Sequence, residues 1–381
     1  MCKQFVNFLQ SIFGLFATIF LSLLIHTIQY PSLLVLILYK LTRLSLYRRL
    51  YRTYIYITQR TLGSLAVTIV WMCSPCEFII TGDVLSLLQD KNNEALLFIA
   101  NHQTYVDWVY IWCFSWCLRN DKMKGLHGDL KISLRGDLSY APIWGWIMIF
   151  LDFIFLKRKW DVDKNRIKSS LRRYIENINS FPKLTPGSEN ICLLIFPEGT
   201  VFNEETMKKS ITYSSSNAEI RNVFNELSLT HNLKNVLLPR TTGLQYICEE
   251  LKSQFIKVNI CDITLGYPKN NRDEYAYDHY SLINFFTSKS KLKQLHIHIK
   301  MHTYGEENSV LNRDNFKRNF IKLYFEKDLL LENYYTTGQF LGNENDSSDV
   351  LIKKIEPQFE DVCLLVCSIV LGCISFFFLF L

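Results

Sequence analysis

The stretch Glu94–His102, EALLFIANH, decides the fold because its apolar run ends abruptly in asparagine and histidine. Apolar runs of roughly four to eight residues that are closed by a turn residue are typical of buried strands. Three further runs share this pattern, namely ICLLIFPEG (191–199), NVLLPRTTG (235–243) and IKVNICDITLGYP (256–268). The chain is therefore predicted to contain several short, buried strands.

Helical patterns separate these runs. In the stretch DKNRIKSSLRRYIENI (163–178), Ile167, Leu171, Tyr174 and Ile178 fall on one face of a helix. The alternation of strands and helices predicts an α/β fold in which helices flank a sheet. In such sheets the functional side chains gather where strands end and loops begin.

The composition is that of a folded chain. It has 381 residues, of which 49% are apolar, and this is enough to form a sizeable core. The formal net charge of +6 comes mostly from residues 40–60, where lysines and arginines alternate with tyrosines after a long apolar run. Such a segment fits an anionic membrane surface better than a nucleic acid.

Two long runs, Gln4–Tyr39 and Val362–Leu381, contain no lysine, arginine, aspartate or glutamate. About 20 helical residues cross the hydrocarbon core of a bilayer. The two runs therefore predict N-terminal membrane-embedded helices and a C-terminal transmembrane helix. A third apolar stretch, Leu62–Ile80, is interrupted by Pro75 and Glu77, which favours a shallow or re-entrant helix over a clean span.

These patterns divide the chain into four parts. Residues 1–81 form the N-terminal membrane-embedded helices with their basic segment, and residues 82–340 form the α/β domain. Residues 341–361 are a polar linker, and residues 362–381 are the C-terminal anchor.

The clearest candidate site is FIANHQTYVDWVY (98–110), which contains His102 and Asp107. Residues five apart on a continuous helix are rotated by about 140°, so the two would not share a helical face. A histidine in a loop can, however, meet an aspartate in the first turn of the helix that follows. The carboxylate would then fix the tautomer of the imidazole and leave its other nitrogen free to act as a base.

No nucleophile accompanies this base. The chain contains no GxSxG elbow, no GxxxxGK[ST] phosphate loop and no GxGxxG fingerprint, so the base is expected to act on a hydroxyl of the substrate. One histidine and one aspartate are too few ligands for zinc, and no metal site is predicted. Cys73 and Cys76 form a lone CxxC in an apolar stretch, which favours buried thiols over a redox or zinc site.

The motifs NHQTYVDW (101–108) and FPEGT (196–200) resemble those of a known family, the glycerolipid acyltransferases that include the 1-acylglycerol-3-phosphate acyltransferases. NHQTYVDW (101–108) is similar to the H-x4-D block of that family, and FPEGT (196–200) is similar to its second hallmark block. The segment Lys131–Trp160 and LLPRTTGLQ (237–245) resemble weaker blocks of the branch that contains lysocardiolipin and lysophosphatidylinositol acyltransferases. The resemblance covers roughly residues 94–245 and makes residues 82–340 the expected catalytic domain.

The resemblance implies a mechanism. His102 would deprotonate the free hydroxyl of a lysophospholipid, which attacks the thioester carbonyl of an acyl-CoA directly. Asp107 would orient and support the imidazolium that forms. No cofactor is expected, because acyl-CoA serves as a co-substrate.

The resemblance also implies a set of contacts with the phosphate-bearing acceptor. Glu198, Gly199 and Thr200 match the block that helps to hold it, and Arg158 matches a basic position of another block. Pro239 would shape a wall of the pocket. Further candidate anion contacts are Lys131, Arg135 and Arg240, for each of which a solvated or salt-bridged role is equally open. The chain has Lys157 before Arg158 where relatives commonly have aspartate or histidine, which leaves the anion geometry open.

The expected function is transfer of an acyl chain from acyl-CoA to a lysophospholipid of the lysophosphatidylinositol, lysophosphatidate or lysocardiolipin type. A CoA-independent transacylase and a non-catalytic membrane scaffold are the alternatives. The expected partners are the two substrates and membrane lipids, with no nucleic acid; the oligomeric state is not predicted. The expected location is the endoplasmic reticulum, as an integral membrane protein with its catalytic domain facing the cytosol.

Overall fold

The computed structural model describes residues 2–88, 94–118, 125–179, 191–229, 232–269, 271, 274–287, 292–306, 309–340 and 350–380. Its helices are α1 Cys2–Thr42, α2 Ser45–Cys73, α3 Val84–Leu88, α4 Asp107–Cys117, α5 Trp144–Phe150, α6 Trp160–Asn179, α7 Glu204–Ser216, α8 Ala218–Glu226, α9 Thr242–Lys252, α10 Ala276–His279, α11 Leu282–Thr287, α12 Phe316–Thr337 and α13 Phe359–Phe380. Its strands are β1 Glu77–Gly82, β2 Glu94–Ala100, β3 Leu130–Arg135, β4 Ile154–Leu156, β5 Cys192–Ile195, β6 Lys257–Gly266, β7 Gln294–Thr303 and β8 Leu351–Lys354. Two short 3-10 helices, Leu126–Gly128 and Gly136–Tyr140, flank β3.

The strands form one mixed sheet in the order β4-β3-β5-β2-β6-β7-β1-β8. From β4 to β6 every neighbouring pair is parallel, so the carboxyl ends of these five strands lie at one edge. The remaining strands extend the sheet through an antiparallel pairing of β6 with β7, a parallel pairing of β7 with β1 and an antiparallel pairing of β1 with β8.

The middle of the sheet is buried on both faces. Along β2, residues Leu96, Phe98 and Ala100 point into one apolar core, and the alternate residues point into a second core on the opposite face. This alternation follows from the two-residue period of a strand. Because full burial of a leucine, isoleucine or phenylalanine contributes about 1.5–3 kcal/mol, an apolar run such as this one stabilises a central strand strongly.

Helices cover the two faces in separate groups. The core that contains Phe98 includes side chains of α2 and α4, and the opposite core includes side chains of α6, α9 and α12. In α6, Ile167, Leu171 and Tyr174 are buried, as their spacing predicts. The side chain of Ile178 lies outside the described residues. The predicted α/β sheet with flanking helices is confirmed.

One of the four predicted strands is wrong. The run 235–243 does not join the sheet: it begins in a bend, and its last two residues belong to α9. Its backbone N–H groups at Asn235 and Leu237 donate instead to the side chains of Asp328 and Glu198. Pro239 has no backbone N–H to donate to a neighbouring strand.

The prediction of membrane-embedded N-terminal helices and a C-terminal transmembrane helix is also wrong. In the part of the chain that the structure describes, no helix combines the length and the apolar character needed to cross a bilayer. Buried polar side chains such as Ser22 and Gln29 interrupt the apolar residues of α1, which contacts α2 and α13. The first turn of α13 contains Asp361, which accepts a hydrogen bond from Ser64 of α2 at 2.7 Å.

The stretch Leu62–Ile80 is not a shallow or re-entrant helix. It contains the second half of α2, whose side chains are mostly buried in the core, and the first residues of β1. Cys73 and Cys76 are free and buried, and burial raises the pKa of the Cys73 thiol to about 11. The interpretation of these two cysteines as buried thiols is confirmed.

The predicted polar linker contains a strand. Its residues 341–349 lie outside the described residues, but residues 351–354 form β8, which pairs with β1 at the edge of the sheet. This segment therefore extends the sheet.

Candidate active site

The parallel half of the sheet brings five distant parts of the chain to one edge. His102 follows β2, Glu198 follows β5, Arg158 follows β4 and Tyr267 follows β6, while Arg135 is the last residue of β3. Because the carboxyl ends of parallel strands open onto one crevice, this edge is the expected place for a ligand.

His102 and Asp107 meet at this edge. His102 lies in the loop after β2, and Asp107 is the first residue of α4, so the pair has the loop-to-helix arrangement that the spacing predicts. The Nδ1 atom of His102 lies 2.9 Å from Oδ2 of Asp107. The Asp107 side chain is 0% exposed, whereas 16% of the His102 side chain is exposed. The carboxylate is thus inside the protein, while part of the imidazole is exposed.

The Asp107 carboxylate has a full set of donors. Its Oδ2 accepts from His102 and from the backbone N–H groups of Gln103 at 2.6 Å and Thr104 at 2.9 Å. Its Oδ1 accepts from the hydroxyls of Thr104 at 2.8 Å and Tyr267 at 2.6 Å. A buried carboxyl that accepts from all these donors is suited to the ionised form. The Nδ1 atom of His102 must then carry the proton that it donates.

An aromatic ring stacks on one face of the imidazole. The ring of His102 lies on that of Phe196, with centroids 4.2 Å apart and planes inclined by 22°. In the described part of the chain, Nε2 of His102 has no hydrogen-bond partner. With Nδ1 protonated, Nε2 carries a lone pair that can accept a proton from a bound hydroxyl.

Glu198 binds the backbone of His102. Its Oε1 accepts from the backbone N–H of His102 at 3.1 Å, and its Oε2 accepts from the backbone N–H of Leu237 at 3.0 Å. The side chain is buried, and this burial raises the pKa of Glu198 to about 8. Its two oxygens are thus engaged inside the protein, where they join the loops after β2 and β5 to the segment that contains Leu237. This position differs from the acceptor contact that the resemblance implied.

Gly199 lies beside two arginines. Its φ angle is +71°, and a Cβ atom at this position would lie 3.3 Å from Nε of Arg240. The carbonyl oxygen of Gly199 accepts a hydrogen bond from the guanidinium of Arg158. Glycine suits this position because it adopts a positive φ without strain and lets the arginines approach the backbone. Thr200, the next residue, is partly buried on the same loop.

Three guanidinium groups converge around this loop. The pKa of Arg158 is lowered, first by burial and then by the positive charges of Arg240 and Arg135. Arg135 also forms an ion pair with Asp137. Repulsion among three cations is relieved when an anion binds between them, and guanidinium groups match the geometry of phosphate. Arg135, Arg158 and Arg240, which we call the arginine cluster, therefore form a candidate anion site.

Residues 85–264 match the acyltransferase family. They include the His102–Asp107 pair, Glu198 and the arginine cluster. The chain carries an acyltransferase-family domain.

Similar proteins extend the match beyond this domain. The chain is 29% identical over 316 residues to an uncharacterized acyltransferase of Schizosaccharomyces pombe, and the aligned region covers 80% of this chain and 81% of that protein. It is 30% identical over 276 residues to the 2-acyl-1-lysophosphatidylinositol acyltransferase of Saccharomyces cerevisiae, covering 66% of this chain and 64% of the relative. It is also 29% identical over 297 residues to lysocardiolipin acyltransferase 1 of Gallus gallus, covering 77% and 68% respectively. The resemblance that the motifs indicate is confirmed.

One predicted anion contact of the acyltransferase domain lies elsewhere. Lys131 is the second residue of β3, about 13 Å along the strand from Arg135 at its carboxyl end. Its ammonium donates to the Gln59 side chain of α2 and to the carbonyl oxygen of Leu151 at 3.0 Å. Burial lowers the pKa of Lys131 to about 8. The structure therefore does not place Lys131 beside the arginine cluster.

Several further residues that shape the candidate site were not among those predicted from the sequence. Tyr267 and Thr104 donate to Asp107, and Phe196 stacks on His102. Asn101 exchanges two hydrogen bonds with the backbone of Leu265, which fastens the end of β2 to β6. Tyr267 and Asn101 each follow the end of an apolar run, and this position was the only signal available in the sequence.

Proposed function

We propose that this chain transfers an acyl group from acyl-CoA to the free hydroxyl of a lysophospholipid. The observation that carries the proposal is the His102–Asp107 pair at the open edge of the sheet, with Nε2 of the imidazole unbonded in the described residues. The acyltransferase family match and relatives named for lysophosphatidylinositol and lysocardiolipin support the choice of reaction and acceptor.

The pair suits direct transfer. Nε2 of His102 removes the proton of the acceptor hydroxyl as its oxygen attacks the thioester carbonyl, and a new carbon–oxygen bond forms. The carbon–sulfur bond then breaks, and the CoA thiolate takes the proton from the imidazolium. During this exchange the buried charge of Asp107 stabilises the imidazolium, because opposite charges interact strongly away from water. The protein need form no covalent intermediate.

The arginine cluster supports a phosphate-bearing acceptor. It lies at the same edge as the base: Arg135 ends β3, Arg158 follows β4, and Arg240 lies beside Gly199. Burial lowers the pKa of Arg158, and the positive charges of Arg240 and Arg135 lower it further; a phosphodiester bound there would relieve this repulsion. Holding the acceptor by its phosphate near His102 would convert part of its binding energy into correct orientation of the hydroxyl.

The decisive experiment uses purified protein, a panel of lysophospholipids and a labelled acyl-CoA. We expect formation of the diacyl product with release of one CoA per transfer, and loss of both in His102→Ala. His279→Ala is the matched control, because His279 is partly exposed and lies outside the site. Absence of product with every acceptor would overturn the proposal.

A second assay separates the competing reactions. Transfer from a diacyl phospholipid without any CoA thioester would identify a transacylase, which would use the same base.

We also propose the endoplasmic reticulum as the location, on the family resemblance alone. Fractionation of cells that express the tagged chain would test this location.

A further inference from the structure

A tyrosine from a distant strand completes the environment of the candidate base. Tyr267 follows the last residue of β6, is fully buried, and donates its hydroxyl to Oδ1 of Asp107 at 2.6 Å. We propose that Tyr267 is a positioning residue that sets the basicity of His102 through Asp107. The proposal rests on the role of His102 in the function proposed above.

The two oxygens of Asp107 have different tasks. Oδ2 accepts from His102 and from two backbone N–H groups of the loop that contains His102. Oδ1 accepts from two hydroxyls, those of Thr104 and Tyr267. A hydroxyl that donates to a carboxylate withdraws part of its negative charge, and so reduces the stabilisation that the same carboxylate gives to an imidazolium. The donors at Oδ1 can thus adjust the histidine from the far side of the carboxylate.

The packing of Tyr267 holds its hydroxyl in place. Its ring contacts those of Tyr110 and Tyr280, with centroids 6.3 and 5.2 Å away. The hydroxyl of Tyr280 donates to the carbonyl oxygen of Pro268 at 2.8 Å, which ties this contact to the same loop. Burial and the charge of Asp107 raise the pKa of Tyr267 well above its ordinary value, so the phenol keeps the proton that it donates.

The Tyr267→Phe variant removes this donor and keeps the ring. More negative charge then remains on Asp107, the imidazolium is stabilised, and the pKa of His102 should rise. We expect the acid limb of the pH profile of kcat/KM to move upward by about 0.5–1 pH unit. The free energy of a hydrogen bond to a charged group is of the same order as the free energy that corresponds to such a shift. We expect kcat at the plateau to fall about 10-fold, with little change in the KM for the lysophospholipid.

A measurement that needs no turnover separates this proposal from the proposed function. Histidine-labelled protein is titrated by NMR, and the His102 signal is assigned by its loss in His102→Ala. An upward shift of the His102 titration in Tyr267→Phe supports the role of Tyr267 even if no acyl transfer is found. An unchanged titration overturns it even if the wild-type protein is an active acyltransferase.

Two further variants guard against a general loss of packing. Tyr304→Phe makes the same chemical change at a buried tyrosine next to the opposite end of β6, and should leave the His102 titration unchanged. Tyr267→3-fluorotyrosine strengthens the donor and should move the His102 titration downward. If Tyr267→Phe does not fold, the fluorinated variant decides the question, and the absence of a downward shift refutes the proposal. An equal shift in Tyr304→Phe also refutes it.

Discussion

Replacement of Glu198 tests whether this residue supports the site or binds substrate. Its two oxygens accept from the backbone N–H groups of His102 and Leu237, and the side chain is buried. In Glu198→Ala both N–H groups lose their partner inside the protein. Because His102 is one of the two anchored residues, the change should disturb the position of the base as well as the fold.

The magnitude follows from these two contacts. A buried donor left without a partner costs about 1–3 kcal/mol, so Glu198→Ala should lower the free energy of unfolding by about 2–6 kcal/mol. In Glu198→Gln, the amide oxygen can accept from one N–H group while the amide nitrogen faces the other, so about half of that loss is expected. The expected order of stability is wild type, then Gln, then Ala.

The assay combines urea denaturation with steady-state kinetics. We expect kcat to fall about 10-fold or more in Glu198→Ala, because the loop that holds His102 relaxes, while the KM for the lysophospholipid changes less than about 3-fold. Glu205→Ala is the matched control, since this exposed glutamate of α7 pairs only with Lys209 in the described structure. It should leave stability and kinetics nearly unchanged.

A Glu198→Ala variant that keeps wild-type stability and raises only the KM for the acceptor would refute the anchoring role of Glu198. That result would return Glu198 to the direct phosphate-binding role that the resemblance implied. Equal stability of the Ala and Gln variants would also contradict it, because the Gln side chain can satisfy one of the two N–H groups.

Four further outcomes are expected. His102→Ala should lower kcat by about 10²- to 10⁴-fold with an unchanged thermal midpoint, and retention of activity would exclude it as the base. Asp107→Asn should lower kcat about 100-fold and move the acid limb of the pH profile downward, because the imidazolium loses a negative neighbour; an upward move would contradict this account. Arg158→Ala and Arg240→Ala should each raise the KM for a phosphate-bearing acceptor about 10-fold, an effect that should be absent if the cluster does not bind the phosphate. Burial raises the pKa of Glu198 from 4.5 to about 8, so its contribution to the free energy of unfolding should be fully present below pH 4.5 and be lost as the pH rises through about 8. In denaturation experiments at several pH values, the free energy of unfolding of Glu198→Gln should fall less over this range than that of the wild type.

Local patterns predicted much of the fold. Three apolar runs became β2, β5 and β6, and the buried face of α6 followed from its spacing. The strand predicted at residues 235–243 fails for a specific reason: the backbone N–H groups of Asn235 and Leu237 donate to the side chains of Asp328 and Glu198. An apolar run indicates burial, but only the available hydrogen-bond partners decide whether it becomes a strand.

The same limit explains why the prediction for residues 62–80 was wrong. The apolar stretch at residues 62–80 is buried against other parts of the protein, as the end of α2 and the start of β1. Hydrophobicity measures the tendency to leave water, and it does not specify which apolar surroundings a segment will enter.

The sequence by itself determined the α/β class, the strand ends that carry the site and the pairing of His102 with Asp107. These depend on periodicity and on a spacing of five residues, which are local properties of the chain. Only the tertiary structure decided that Glu198 anchors His102, that Tyr267 donates to Asp107 and that Lys131 lies away from the arginine cluster. Such contacts join residues 72 to 160 positions apart, so they depend on the order and register of the strands and on which donors burial leaves beside each side chain.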